Sequence, residues 1–140
     1  MALKITQTEV WAASIQDKPG SMAEKLEALA KAGAAPDFVI ARRSPDKPGT
    51  GVLFVAPLKD DKAIQAAQAA GFAKSDSLHS VRIEGPDQAG IGARLTRKLA
   101  DAGINLRGLS AAAIGDRFVC YLALDSAADA AKAAELLQKF

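Results

Sequence analysis

Asp17-Lys18-Pro19-Gly20, followed by an apolar helical pattern and closed by Lys31-Ala32-Gly33, returns seventy residues later as Asp87-Gln88-Ala89-Gly90, a second helical pattern and Asp101-Ala102-Gly103. The match extends to Ala23 with Ala93, Leu29 with Leu99 and Ala30 with Ala100. After a slip of two residues Phe72 matches Phe140. A repeat of this length is one folded unit duplicated, not a solenoid of short repeats. The function is therefore expected to rest on two copies of one small module, or on the seam between them.

Composition bounds the rest. A chain of 140 residues that is 49% hydrophobic can build one ordinary core or two small ones packed together, and large multi-step catalytic architectures are not expected. The formal charge is +2, and each half carries nine Lys or Arg against eight Asp or Glu. That balance argues against nucleic acid as a partner, because phosphate binding concentrates cations on one face. Cys120 is the only cysteine, so there is no internal disulfide, and the amino terminus has no charged, apolar, small-residue leader pattern. A cytoplasmic location is expected. No apolar stretch is long enough to cross a bilayer, so no membrane partner is expected.

Along the chain, Trp11, Ala13 and Ile15 fall on one face of a strand between Val10 and Ile15. Met22, Leu26, Leu29 and Ala30 recur at helical spacing from Ser21 to Ala32, and Gly33 supplies a left-handed stop. Phe38 to Ala41 and Val52 to Ala56 read as strands joined by a Pro- and Gly-rich loop. Asp60 and Asp61 then open a helix with Ile64 and Ala67 inward. In the second half, Val81 and Ile83 mark a strand, Ile91 to Ala102 a helix and Leu106 to Ala111 a strand. Gly115-Asp116 is a two-residue hairpin signal leading into Phe118 to Leu124. Ser126 with Asp129 forms a capping box for a last helix that buries Ala133, Leu136 and Leu137.

Each half thus reads strand, helix, strand, strand, helix, and lacks one strand of a four-stranded sheet. Phe72 to Asp76 can supply it for the first half. The second half has nothing after Phe140, but Ala2 to Thr6 lies seventy residues before Phe72 to Asp76. The expectation is an α+β protein with domains at 1–72 and 73–140, in which the strand at 2–6 crosses over to complete the second.

The two turns stand between a strand and a helix start. Free backbone N–H groups and the positive end of the helix dipole make a carboxylate or phosphate pocket there, and a glycine lets a ligand approach the backbone. An Asp on the same turn offers a partner for an ammonium, so a free amino acid would satisfy both. The competing reading is purely structural: Asp caps the helix, Pro suits its first turn and Gly permits the turn.

The strand, the Asp-x-Pro-Gly turn, the helix ending in Ala-x-x-Gly and the segment Gly103-Ile104-Asn105-Leu106 resemble ACT domains, small regulatory modules that bind amino acids. The resemblance covers two tandem copies, Val10 to about Phe72 and Leu78 to Phe140. It implies ferredoxin-like βαββαβ units with antiparallel sheets and helices on one face, paired side by side, with effectors at a domain interface. Carried over by position, the ligand loop corresponds to Asp17, Lys18, Pro19, Gly20, Ser21 and Met22 in the first copy. In the second it corresponds to Asp87, Gln88, Ala89, Gly90, Ile91 and Gly92, and the family's Asn after the helix to Asn105. The first copy departs at Ala34-Ala35-Pro36, which has no side-chain amide, and the second at Ala89, where proline is expected. One site drawing on the loop of one copy and the Asn of the other is favoured over two equal sites.

Other chemistry has little support. His79 has no second His or Cys nearby, so no metal is expected, and Cys120 between Phe118 and Leu122 reads as a small core residue. With one histidine there is no Ser-His-Asp or Cys-His constellation, and neither catalysis nor a cofactor is expected. Arg94, Arg97, Lys98 and Arg107 form a locally basic region, with Arg97 and Asp101 spaced as a solvated pair. The sequence therefore points to an amino-acid-binding regulator or sensor that forms a homodimer and acts on a separate partner enzyme. The alternative is a regulatory subunit that docks onto an enzyme without a ligand of its own.

Overall fold

Alternation of apolar and polar residues builds the strands, and hydrogen-bonded ladders carry them beyond the apolar runs. In the computed structural model, which describes residues 3–140, β1 spans Lys4–Gln16. The segments expected at Ala2 to Thr6 and Val10 to Ile15 are one strand that runs on through polar Gln7, Thr8 and Glu9; Ala2 lies outside the described residues. Then come α1 (Ser21–Lys31), β2 (Phe38–Arg43), β3 (Thr50–Ala56), α2 (Asp61–Ala69) and β4 (Ala73–Pro86). The second half continues with α3 (Ile91–Asp101), β5 (Leu106–Ile114), β6 (Arg117–Leu124) and α4 (Ala127–Gln138). The strands expected at Phe72 to Asp76 and around Val81 likewise merge into β4, whose length is 14 residues. Phe72 precedes that strand and is buried. The protein is α+β, with four helices among the described residues on antiparallel sheet. Among the described residues no helix is long and apolar enough to cross a membrane.

The chain folds as two compact units. One is Glu9–Ser75; the other joins Asp76–Phe140 to residues 3–8. In the first, β1 pairs antiparallel with β3 and β3 with β2, setting Trp11 opposite Val55, Ala13 opposite Leu53 and Ala41 opposite Leu53. These side chains share a face, and Leu29 of α1 with Ala63 and Ala67 of α2 covers it. The buried stripe of α1 runs through Ser21 and Leu29, with Leu26 and Lys25 partly buried beside it. Met22, expected inward from its spacing, lies off the edge of that stripe and is 42% exposed. The Lys25 ammonium donates to the carbonyl of Ala70, the residue that ends α2.

In the second unit, β4 pairs with β6 and β6 with β5, all antiparallel, placing Val81 opposite Leu122 and Ile83 opposite Cys120. Ile91, Leu95 and Leu99 of α3 and Ala130, Ala133 and Leu137 of α4 bury against that face. Leu3 and Ile5 pack against the same core. Each large aliphatic side chain so buried contributes about 1.5–3 kcal/mol through removal from water. Gly115 and Asp116 close the β5–β6 hairpin, with Ile114 opposite Arg117.

Equivalent residues make equivalent bonds in the two units. Ala34 donates its backbone N–H to Leu29 at 3.1 Å, and Ile104 donates to Leu99 at 3.0 Å, each closing a helix C-terminus.

Candidate functional site

The strand-to-helix turns are duplicated in geometry as well as in sequence. After β1 the Asp17 amide donates to the carbonyl of Gly49 at 3.0 Å; after β4 the Asp87 amide donates to that of Asp116 at 2.7 Å. Ser21 N–H donates to Lys18 at 3.4 Å and Ile91 N–H to Gln88 at 3.2 Å. Gly20 (φ 93°) and Gly90 (φ 82°) occupy the N-cap positions in the left-handed region. There a side chain would be strained, which is why glycine recurs at this point.

The structural reading of Asp17 and Asp87 as helix caps does not hold. Neither α1 nor α3 has a side-chain cap, whereas α2 and α4 do: Asp60 accepts from the Ala63 amide at 2.8 Å and Ser126 from the Asp129 amide at 3.0 Å. Because Gly20 and Gly90 take the N-cap positions, the aspartates sit too early in the turn to reach the first-turn amides. The amides of Met22, Ala23, Gly92 and Ala93 have no acceptor among the described residues. They stand at the positive end of the helix dipole, the arrangement that attracts a carboxylate.

Beside the first turn lies a cleft of about 240 Å³ lined by residues that include Ile15, Asp17, Lys18, Met22, Arg43 and Gly51. It brings together Asp17, Lys18 and Met22 of the sequence-derived loop. Pro19 and Gly20 are exposed on the turn, and Ser21 is buried against the unit's core. In the second unit Asp87, Gln88, Ala89, Gly90 and Gly92 are exposed, Ile91 belongs to the core, and exposed Asn105 precedes β5.

Arg43 is the residue that sequence reasoning missed. Its Nε donates to Asp17 Oδ2 at 2.8 Å, with the Arg43 side chain 85% and that of Asp17 38% exposed. An ion pair this open to water holds weakly and exchanges easily. With Lys18, Arg42 and Arg43 against Asp17, the cleft is net cationic and has an apolar wall of Ile15, Ala41 and Met22. Such a surface has the cations and the apolar wall that a carboxylate-bearing ligand would need, with Asp17 as its single anion. In the second loop Gln88 Oε1 accepts from Arg94 at 2.8 Å, and the Arg94 guanidinium lies over the Phe140 ring at 5.6 Å.

Cys120 is buried among Ile83, Leu122 and their neighbours, and burial pushes its thiol up to about 11. A thiol so placed is a packing group and not a nucleophile. His79 lies in β4 opposite Leu124, and no group of three or more acidic, Cys or His side chains gathers in metal-binding fashion among the described residues.

Solved structures share this architecture. The chain superposes on a Bacteroides thetaiotaomicron protein with a TM-score of 0.79 at 19% identity, over 96% of this chain and 89% of that one. The aspartokinase α and β subunits match with a TM-score of 0.65 at 22% identity, over 99% of this chain and 96% of that one. The regulatory subunit of aspartate kinase from Thermus thermophilus, in its ligand-free form, matches with a TM-score of 0.66 at 19% identity, over 99% and 96%. Neither a family model nor a curated protein matches the sequence. At these identities the likeness concerns fold: the chain shares the α+β fold of the regulatory subunit of aspartate kinase from Thermus thermophilus.

Proposed function

We propose that this chain is a non-catalytic regulatory protein of two tandem ACT-like units, one at 9–75 and the other at 76–140 completed by the strand expected at 2–6, that binds a free amino acid and signals to a separate enzyme. The observation that carries this reading is the pair of uncapped helix starts behind Gly20 and Gly90, while α2 and α4 are capped by their own side chains. Amides left open at both repeated turns, where a purely structural turn would be expected to cap them, support a carboxylate site there. The near full-length likeness to the regulatory subunit of aspartate kinase from Thermus thermophilus supports the same class.

In this reading the ligand carboxylate accepts hydrogen bonds from the amides of Met22 and Ala23, or of Gly92 and Ala93, with Lys18 or Arg43 adding charge in the first unit. Its ammonium displaces Arg43 from Asp17, or meets Asp87, with Asn105 or backbone carbonyls completing the shell. Because binding energy is gained only in the conformation that closes on both ends of the ligand, the amino acid shifts the population toward that conformation.

Thermal unfolding in the presence of each of the twenty amino acids tests this. At a ligand concentration about 100-fold above Kd the stabilisation is about 2.7 kcal/mol. For a chain of 140 residues that unfolds cooperatively, this raises Tm by roughly 9 °C. A graded rise with one or a few of them is the expected result. No shift with any would leave the ligand-free docking subunit as the better description.

A further inference from the structure

The duplicated helices α1 and α3 are charge mirrors. Across the repeat Glu24 corresponds to Arg94, Glu27 to Arg97 and Lys31 to Asp101, while Ala23, Leu29 and Ala30 are repeated as Ala93, Leu99 and Ala100. The inverted positions fall at i, i+3 and i+7, which is one stripe of helix surface, and all six residues are exposed. Lys98 replaces Ala28 and adds a further cation to the basic side.

Each stripe borders a groove with an apolar floor. On α1 and α2, Glu24 and Glu27 flank Ala28, Ala66, Ala69 and Ala70. On α3, Arg94 and Arg97 flank Ala93, Ala100 and Phe140. Glu24, Glu27 and Lys31 have no ion-pair partner among the described residues. The basic side is partly ordered, since Arg94 is held by Gln88 and Phe140, while Arg97 meets Asp101 only at 3.6 Å. If the stripes were merely solvated, nothing would require opposite signs at the same three positions; a surface that must fit its own duplicate would.

We propose that these two faces are an interface between copies of this chain: the acidic α1–α2 face of one copy docks on the basic α3–α4 face of a second. The occupant follows from charge complementarity, because the chain carries both halves of the match on equivalent helices. Small residues on both floors permit close approach, and the flanking charges select partner and register.

The test is a pair of charge reversals, Glu24→Arg with Glu27→Arg in one variant and Arg94→Glu with Arg97→Glu in the other, followed by sedimentation at low ionic strength. The wild-type protein should associate, more weakly near about 0.5 M salt, where screening shortens to a few ångströms. Each variant alone should associate at least about tenfold more weakly. An equimolar mixture should regain association, since the first variant presents two basic faces and the second two acidic ones. Circular dichroism establishes that each variant is folded. Should a double reversal unfold, the single neutralisations Glu27→Gln and Arg97→Gln take its place, each expected to weaken association. A wild-type chain that stays monomeric, variants that associate as the wild type does, or folded variants whose mixture fails to associate would each overturn the proposal.

Discussion

Three glycines near the candidate loops separate backbone strain from space. Gly20 has φ 93° and nothing within 4 Å of a built Cβ. Its replacement by Ala therefore costs the left-handed backbone penalty of about 1–2 kcal/mol, offset in part by about 0.4–1 kcal/mol from a less flexible unfolded chain. Gly92 has ordinary helical backbone and equally open surroundings, so Gly92→Ala should stabilise by about 0.5–1 kcal/mol. Gly51 also has no positive φ, but a Cβ there would stand 2.7 Å from the Arg42 carbonyl oxygen. That oxygen is backbone in the neighbouring strand and cannot swing aside, so Gly51→Ala should cost about 1–3 kcal/mol. With an unfolding entropy near 2.1 cal/mol/K per residue, each kcal/mol moves Tm by roughly 3 °C in a cooperative 140-residue chain. Scanning calorimetry should therefore rank the four proteins Gly92→Ala, wild type, Gly20→Ala, Gly51→Ala from most to least stable. A Gly92→Ala protein less stable than wild type, or a Gly20→Ala protein more stable than it, would refute the assignment of those turns.

Further outcomes follow from the same geometry. Asp60→Ala and Ser126→Ala should each cost about 1 kcal/mol by chemical denaturation through loss of a cap, and Asp87→Ala, which caps nothing, should cost clearly less. The Cys120 thiol is held protonated by burial, up to about 11 against an ordinary 9.0. Its contribution is therefore complete below pH 9 and is lost between about pH 9 and 11 as the unfolded thiol ionises first. Cys120→Ala should remove that component of the alkaline decline, which a denaturation series across the range would reveal. Hydrogen bonding and charge from Arg82 hold the Glu84 carboxyl below the usual range. That stabilisation is present above the ordinary carboxylate pKa and fades as pH falls through the folded value. In an Arg82→Leu protein the Glu84 midpoint read by NMR should move up toward the ordinary value.

Much of this architecture is legible in the chain because turns are local. Gly33 and Gly103 mark helix ends, Gly115-Asp116 marks a hairpin, and Ser126 marks a cap, each through chemistry confined to a few residues. The lengths of β1 and β4 are less legible. Gln7, Thr8 and Glu9, or Ser75 and His79, do not look like strand interior, and for His79 the partner is Leu124, 45 positions later. Met22 misleads for a related reason: apolar spacing along α1 fits more than one stripe, and packing on β1 and β3 chose the one through Ser21 and Leu29. The Asp17 to Arg43 pair was hidden because it joins a turn to the end of β2, 26 positions later, and only the β2–β3–β1 pairing brings them together. The open amides at Met22 and Ala23 depend on Gly20 taking the N-cap, a backbone feature that residue identities alone do not separate from capping by Asp17.

The amide resonances of Met22, Ala23, Gly92 and Ala93 report most directly on the central claim. In a titration with the amino acid that most raises Tm, followed by ¹H–¹⁵N NMR on isotope-labelled protein, at least one of the two pairs should shift saturably, with the N–H protons moving as they do on donating to a carboxylate. If the ligand binds and all four stay fixed while other amides move, the twin helix starts are not where it is held.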